Sequence, residues 1–580
     1  MKIRCMMLLA SLCCFSNIFS QTYITHVTVV DVIKHKLVAD ETVVFDKDII
    51  TDIQSSKKIK ILAGANVIDG TGKFLLPGMT DAHVHFFQSG GLYTRPDGFD
   101  LRKYVPYEKE IEWVHNNMED FLRRYVQNGI TSVIDVGATY NFLQQRDSFQ
   151  NKFYAPHIFM TGPLLTSYEP PVFKNLHNDE PLLLVNTPEE GIKGVDAELP
   201  YHPDFIKIWY IVNDSNKDST EASAKRFQPI AKAIIDEAHK NNLKVAVHAT
   251  ERITAQLAVE SGCDYLVHGV EDELVNDDFI KLLKTKNIID CPTLVVEDGY
   301  FKTYGQYEDY SAYDLENSSP GPIGSIEDLK HLPDTTIINL YKTRFNMQLM
   351  KQRLHKDNSI RMANLKKMAD GGITIAAGTD AGNVGTQHAT SFYDELMAMK
   401  QSGLTNWQII ESATINPAKI LNKQDSLGSI NKGKQADMVL LNVNPVNELE
   451  GLRKIDLVIN KGHVIRPDTL IAATPESLVQ QQLNGYNARN IDAFLAPYDD
   501  NAELYFFPNK LVAKGKEQLR EQYAKIFGNA RLHCEIKEII VQGNTVIEKE
   551  SITGVGQNKL EGTVIYQIEN NKIKKVYIIE

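Results

Sequence analysis

The stretch Leu76-Pro77-Gly78-Met79-Thr80-Asp81-Ala82-His83-Val84-His85 carries the first decision about this chain. Residues 78–86 read as a strand, and on a strand positions i and i+2 face the same side. His83 and His85 therefore point together, close to the strand's carboxyl end. Imidazole is a good ligand for zinc and related divalent metals. A single His-x-His pair is weak by itself, so the neighbouring segments must carry the argument.

Seven more short apolar runs follow. They are Thr131–Val136, His157–Thr161, Phe205–Tyr210, Lys244–His248, Asp264–His268, Ile288–Cys291 and Ile373–Ala377. Helical periodicity lies between most of them, as in Glu108–Val126, Ala224–Lys240 and Glu251–Glu260. Alternating strands and helices predict a parallel sheet with helices outside, and eight such units predict a (β/α)8 TIM barrel over 77–430. Two insertions, 165–203 and 295–367, follow strand carboxyl ends, where loops shape active sites.

Strand-like runs flank this section at 21–76 and 431–472, and are read as two parts of one small β-sandwich. From 473 the character changes again. Thr474-Pro475 reads as a helix start, with Val479, Leu483 and Tyr486 on one face and Asn490 capping a second short helix. Strands from Glu535 complete an α+β domain over 473–580. The expected class is thus α/β, with a C-terminal α+β domain added.

The opening differs from all of this. Lys2 and Arg4 precede an apolar run to Phe19, followed by Ser20, which is the pattern of a cleaved signal peptide over 1–20. A secreted or periplasmic protein is expected, with no membrane insertion after cleavage. Only Cys263, Cys291 and Cys534 lie beyond this leader, too few and too scattered for a disulfide framework. The net charge is −12 and no basic run appears, which argues against nucleic acid as a partner.

The chemistry gathers where the apolar runs stop. His248 ends the fifth run, His268 ends the sixth, and Asp380 follows the eighth in Gly378-Thr379-Asp380-Ala381-Gly382. Each alone could be a turn residue. Together with His83 and His85 they define one face of a barrel. Lys207 sits inside the apolar Phe205-Ile206-Lys207-Ile208-Trp209. A buried cation there is costly unless it is paired or neutralised, and burial beside metal cations favours the neutral amine. A neutral amine can take up carbon dioxide and become a carbamate.

These motifs resemble, in order, those of the amidohydrolase superfamily. Ala413-Thr414 with Asn416-Pro417-Ala418, and Gly433-Lys434-Gln435-Ala436-Asp437, resemble its return to the sandwich. The Lys207 strand is similar to the two-metal branch of imidazolonepropionase and prolidase. The resemblance covers about residues 22–470. It implies two divalent metal ions, with zinc as the first expectation. His83, His85 and Asp380 would hold one, His248 and His268 the other, joined by carbamylated Lys207. The implied activity is hydrolysis of an amide C–N bond in a small-molecule or dipeptide-like substrate. Metal-bound hydroxide would attack the carbonyl, and Asp380 would serve as catalytic base and then acid. A lactonase or esterase could use the same site.

Two other readings stay open. His248-Ala249-Thr250-Glu251 resembles the His-x-x-Glu of single-metal deaminases, with Glu251 moving protons; otherwise Glu251 simply opens a helix. An inactive binding module would be expected to lack a ligand type, and none is missing. Tyr93, Arg95, Tyr168 and His388 are the candidate substrate-binding residues, on loops near the metal motifs. The tail from Gln482 resembles a SnoaL-like, ketosteroid-isomerase-like cone. No clear acid/base pair is legible in it; Tyr486, Asp492, Tyr505 and His533 qualify only by type. Dimerisation or a passive accessory role is its expected part.

Overall fold

The computed structural model describes residues 21–212, 219–555 and 559–579. The leader expected at 1–20 lies outside the described residues. Eight parallel strands carry the central section: Met79–Val84, Ile130–Asp135, His157–Met160, Ile206–Trp209, Val245–His248, Tyr265–Val267, Ile289–Cys291 and Thr374–Ile375. Each falls inside or overlaps a run expected to be a strand. The first three pair in order, and the last five pair in order.

Both seams between these groups are bridged. Thr161-Gly162-Pro163 interrupts the third strand, and its continuation Leu164–Thr166 pairs with Ile206–Trp209. Asp204 N also donates to Met160 O at 2.9 Å. At the other seam, Ala82 N donates to Ala377 O at 2.9 Å and His85 N to Ala381 O at 2.8 Å. Helices Tyr107–Gln127, Thr220–Lys240 and Arg252–Ser261 cover the outside. Their apolar faces, such as Val114, Phe121 and Tyr125, join one continuous core with Val133, Ile206 and Val247. Strands buried on both faces explain why the sequence shows apolar runs there rather than alternation.

The two flanking pieces unite in one eight-strand sheet. Strands Thr22–Asp31 and Phe74–Pro77 come from the first piece, and Met438–Leu441 and Ile455–Asn460 from the second. Met438–Leu441 lies antiparallel to Phe74–Pro77. The far edge, Ile49–Ser55, is tied back by Ile50 N to Lys434 O at 2.8 Å and Ala436 N to Asp48 O at 2.6 Å. The sheet thereby closes over Ile24, Phe45, Met438 and Leu440. Alternate residues Val439 and Leu441 pack instead into the central core.

Both long insertions are more structured than loops. Residues 165–203 include helix Pro188–Glu198, and 295–367 include helices Val296–Gly305, Pro320–Asp328, Thr335–Asn346 and the long Gln348–Asp370. The C-terminal section forms a six-strand sheet backed by helices Pro475–Asn487 and Lys516–Phe527. Thr474 caps the first through a reciprocal pair with Ser477, and Asn490 caps Ile491–Leu495, both as expected. Strands Tyr498–Phe506 and Lys510–Lys514 were not legible in the sequence. Their exposed Asp500, Asn501 and Lys510 break the apolar pattern. Cys263, Cys291 and Cys534 are buried free thiols, as expected. Among the described residues no helix is long and apolar enough to cross a membrane.

Candidate metal centre and its pocket

His83 and His85 leave the first strand side by side, and Asp380 meets them from the turn after the eighth. Asp380 Oδ1 lies 3.2 Å from His83 Nε2 and 3.1 Å from His85 Nε2, and the two Nε2 atoms are 3.2 Å apart. All three residues are buried. Two local features allow this approach. Asp380 has φ +61°, the left-handed region that Asp tolerates better than most residues. A Cβ at Gly378 would stand 2.7 Å from His83 N, so only glycine lets the turn come so close.

His268 and His248 continue the cluster. The His83 and His268 rings are 4.9 Å apart, and those of His268 and His248 are 4.4 Å apart. His268 also has a positive φ, +74°. Such strain on a β-strand end marks a residue held for a purpose. The surroundings orient the rings: His85 Nδ1 donates to Gly137 O at 2.8 Å, and His268 Nδ1 meets Thr293 Oγ1 at 2.7 Å. Both contacts leave Nε2 facing the cluster, the arrangement that supports metal-ligating histidines.

Charge is balanced in an unusual way here. Burial pushes His83 down to about 3 despite Asp380, and drives His248 and His268 well below the usual range. Burial thus favours the neutral imidazole, the form that ligates a metal. Burial would raise the Asp380 carboxyl, but His83 and His85 outweigh it and hold it well below the usual value. Lys207 is 1% exposed, and burial lowers its ammonium to about 7 against the pull of Asp380. Imidazole nitrogens and a carboxylate oxygen crowd within 3.2 Å, and a divalent cation satisfies all of them. The donor set fits a metal.

Above the cluster lies a pocket of about 260 Å³. His85, Lys207, His248, His268 and Asp380 line it, with Trp209 and Tyr300. Of the four substrate candidates, only Arg95 lies on its wall. Its guanidinium already binds Asp97 through two bonds, at 2.8 and 2.7 Å, and Asn383 Oδ1 at 2.6 Å. Asn383 Nδ2 in turn donates to Asp380 Oδ1 at 2.8 Å. Arg95 thus orients the Asp380 turn rather than waiting for substrate.

Tyr93 packs into an apolar cluster with Leu92 and Tyr304 instead. Tyr168 is an exposed residue leaning on Trp209 at 6.3 Å. His388 is buried on Phe86, with both ring nitrogens engaged by Tyr125 OH at 3.0 Å and Gln88 O at 2.9 Å. Glu251 also stands off the pocket wall; it precedes helix Arg252–Ser261 and accepts from Thr254 Oγ1 at 3.0 Å.

Three residues on the wall were not legible: Glu271, Glu297 and Arg361. Arg361 comes from the middle of helix Gln348–Asp370, is 4% exposed, and approaches Glu271 at 3.9 Å. Its Nε has no partner among the described residues. Burial raises Glu271 to about 7 and Glu297 in the same direction, while Arg361 opposes both. A signal for Glu271 existed, since it stands three residues past His268. Nothing marked Arg361 among the polar residues of a long helix.

Parallel strands with candidate metal ligands at their ends define an α/β fold with a group that could hold a metal ion. The chain belongs to the amidohydrolase family, whose pattern matches residues 74–465, and it carries a SnoaL-like domain over 479–576. The imidazolonepropionase of Geobacillus sp. (strain WCH70) is 22% identical over 442 residues, covering 70% of this chain and 84% of that protein. The ochratoxinase of Aspergillus niger is 20% identical over 403 residues, 65% of this chain and 72% of that one. Among solved structures, a Xaa-Pro dipeptidase with methionine in its active site superposes with a TM-score of 0.57 at 23% identity, covering 77% of this chain and all of that one (100%). The A. niger ochratoxinase gives 0.58 at 18%, over 77% and 96%. These likenesses carry the fold, and imply a (β/α)8 barrel.

Proposed function

We propose that this chain is a two-metal hydrolase that cleaves an amide C–N bond in a small, dipeptide-like or cyclic amide substrate. The convergence of His83, His85 and Asp380 opposite a buried Lys207 carries this reading. His83, His85 and Asp380 would hold one divalent ion, and His248 and His268 the other. The neutral Lys207 amine adds carbon dioxide and loses one proton, giving a carbamate that would serve both ions. Zinc is the favoured metal, given three or more imidazoles. When bound, such ions polarise a carbonyl and acidify water.

The protein's own groups do the remaining work. Asp380 Oδ2 accepts the proton of the attacking water and returns it to the departing nitrogen, while Asn383 holds Oδ1 in place. Trp209 and Tyr300 add aromatic surface to the pocket wall. Arg361 suits a substrate carboxylate, and Glu271 and Glu297 suit its ammonium. A zwitterionic, dipeptide-like substrate matches that wall. One of the similar solved structures is a Xaa-Pro dipeptidase, whose name points to a dipeptide amide, and this supports an amide in this place. Glu251, turned into its helix, gives the deaminase reading little support; an ester or lactone remains chemically accessible to the same groups.

Residues 1–20 are proposed as a cleaved leader that sends the protein out of the cytoplasm. N-terminal sequencing of the mature protein checks this: a start near Gln21 is expected. Self-association through the C-terminal domain is supported by Ile539, Ile540 and Val541, all exposed on edge strand His533–Gln542. Elemental mass spectrometry tests the centre. About two metals per chain, falling with Lys207→Ala, is the expected result. One metal, unaffected by that change, would discard the bridged centre.

A further inference from the structure

The C-terminal domain contains its own cavity, of about 350 Å³, enclosed between helix Pro475–Asn487 and the six-strand sheet. That is large enough for a compact organic molecule. Aromatic rings dominate one side: Tyr486, Phe494, Tyr498, Tyr523 and Tyr566. Phe494 lies 4.4 Å from Tyr523 and 5.3 Å from Tyr498, centroid to centroid. Aliphatic residues such as Leu504, Val564 and Val576 form much of the rest.

One buried carboxyl faces this apolar space. Glu550 is 7% exposed, and accepts from Tyr566 OH at 3.0 Å. Glu548 lies two residues earlier on strand Thr545–Thr553, so it shares the inward face, and it is 3% exposed. Two carboxyls thus lie in one apolar interior. Among the described residues no lysine, arginine or histidine offsets either one: Glu548 feels the charges of Glu550 and Glu476, and Glu550 is met only by hydrogen bonds from Tyr566 and Cys534. No cationic side chain lines the cavity among the described residues. Burying acidic groups in this way is costly unless a cation or a proton answers them. Burial pushes Glu550 up to about 6 and Glu548 to about 8.

A carboxylate at the base of an aromatic chamber is complementary to an ammonium carried on an apolar body. The carboxylate supplies the ion pair, and the ring faces attract the same cation. We infer that this cavity is a second small-molecule site, for a compact apolar or aromatic amine bound through Glu550, separate from the metal centre. The inference does not depend on the hydrolase reading, because its residues all lie between Gln482 and Ile579.

Isothermal titration calorimetry on the full, metal-loaded chain tests it. The probes are phenethylamine, its neutral isostere phenethyl alcohol, and the anion phenylacetate. The amine should bind tightest at about pH 7.5, and lose affinity below about pH 6 as Glu550 takes its proton. Glu550→Gln should weaken amine binding about tenfold or more. Val564→Trp, which fills the cavity from strand Leu560–Glu569, should abolish it. Glu271→Gln, in the other pocket, should leave it unchanged. Thermal unfolding verifies that each variant is folded. If the alcohol binds as well as the amine and Glu550→Gln is indifferent, the cavity takes neutral ligands and the inference fails. It fails equally if Glu271→Gln alone removes binding, or if no probe binds.

Discussion

The pocket at the strand ends and the cavity of the C-terminal sheet both bury carboxyl groups, yet they answer the charge differently. Around Asp380 the answer comes from the chain itself, through the His83 and His85 rings and a hydrogen bond from Asn383. The carboxylate stays ionised. Around Glu550 the chain supplies a tyrosine and a thiol but no cation, and burial wins. Identical chemistry is thus tuned in opposite directions by what surrounds it. In the proposed reaction the first setting would keep a proton acceptor ready beside the candidate metal ligands. The second leaves a demand that a proton or an outside cation must meet.

The sharpest way to break this contrast is Asp380→Asn. It keeps the shape of the turn but removes the proton acceptor. Turnover should fall about 10³-fold, measured by release of amine from a dipeptide or cyclic amide panel. Calorimetry on the C-terminal cavity should not change. An Asp380→Asn enzyme with undiminished turnover would remove the acid–base role.

Next comes the wall of the metal pocket. Arg361→Met should raise KM about tenfold to a hundredfold for substrates with a free carboxylate, and little for their amides. Metal content should be unaltered, since Arg361 is no candidate ligand. Equal loss on both substrate forms would make the residue a packing element.

The third prediction concerns pH. Glu548 and Glu550 both have folded values above the unfolded carboxylate value, so the folded domain binds more protons. Stability is then greatest at low pH and declines as pH rises from about 4.5 through 6 and 8. Going from about pH 8 to about pH 5 should raise the domain's unfolding free energy by on the order of 5 kcal/mol, most of it from Glu548. Glu548→Gln should flatten that slope in denaturant titrations. A slope of the opposite sign would mean the pair is compensated. The smallest effect expected is local: Thr474→Ala removes a reciprocal helix cap and should cost about 1 kcal/mol.

Strand ends were legible because barrel chemistry recurs at one place in each repeat. His83, His85, His248, His268 and Asp380 each end or follow an apolar run, and the structure gathers their rings and oxygens. Lys207 stood out because a cation interrupts an apolar strand. Arg361, Glu271 and Glu297 carry no such mark, since a polar residue on a helix or loop looks the same whether it meets solvent or a pocket. Arg95, Tyr93, Tyr168 and His388 show the converse. Their residue types suit substrate binding, but three turn elsewhere and Arg95 is committed to Asp97.

In the C-terminal domain the helix caps at Thr474 and Asn490 were readable, because capping depends on residues within four positions. Glu550 was not, although alternation on its strand places it inward beside Glu548. Local chemistry and periodicity along the chain settle which segments become strands and helices, and which strand ends carry ligands. Only the packed molecule decides which distant side chains share a wall and what becomes of a buried charge. Both depend on contacts between residues from tens to hundreds of positions apart, and on water removed from around them.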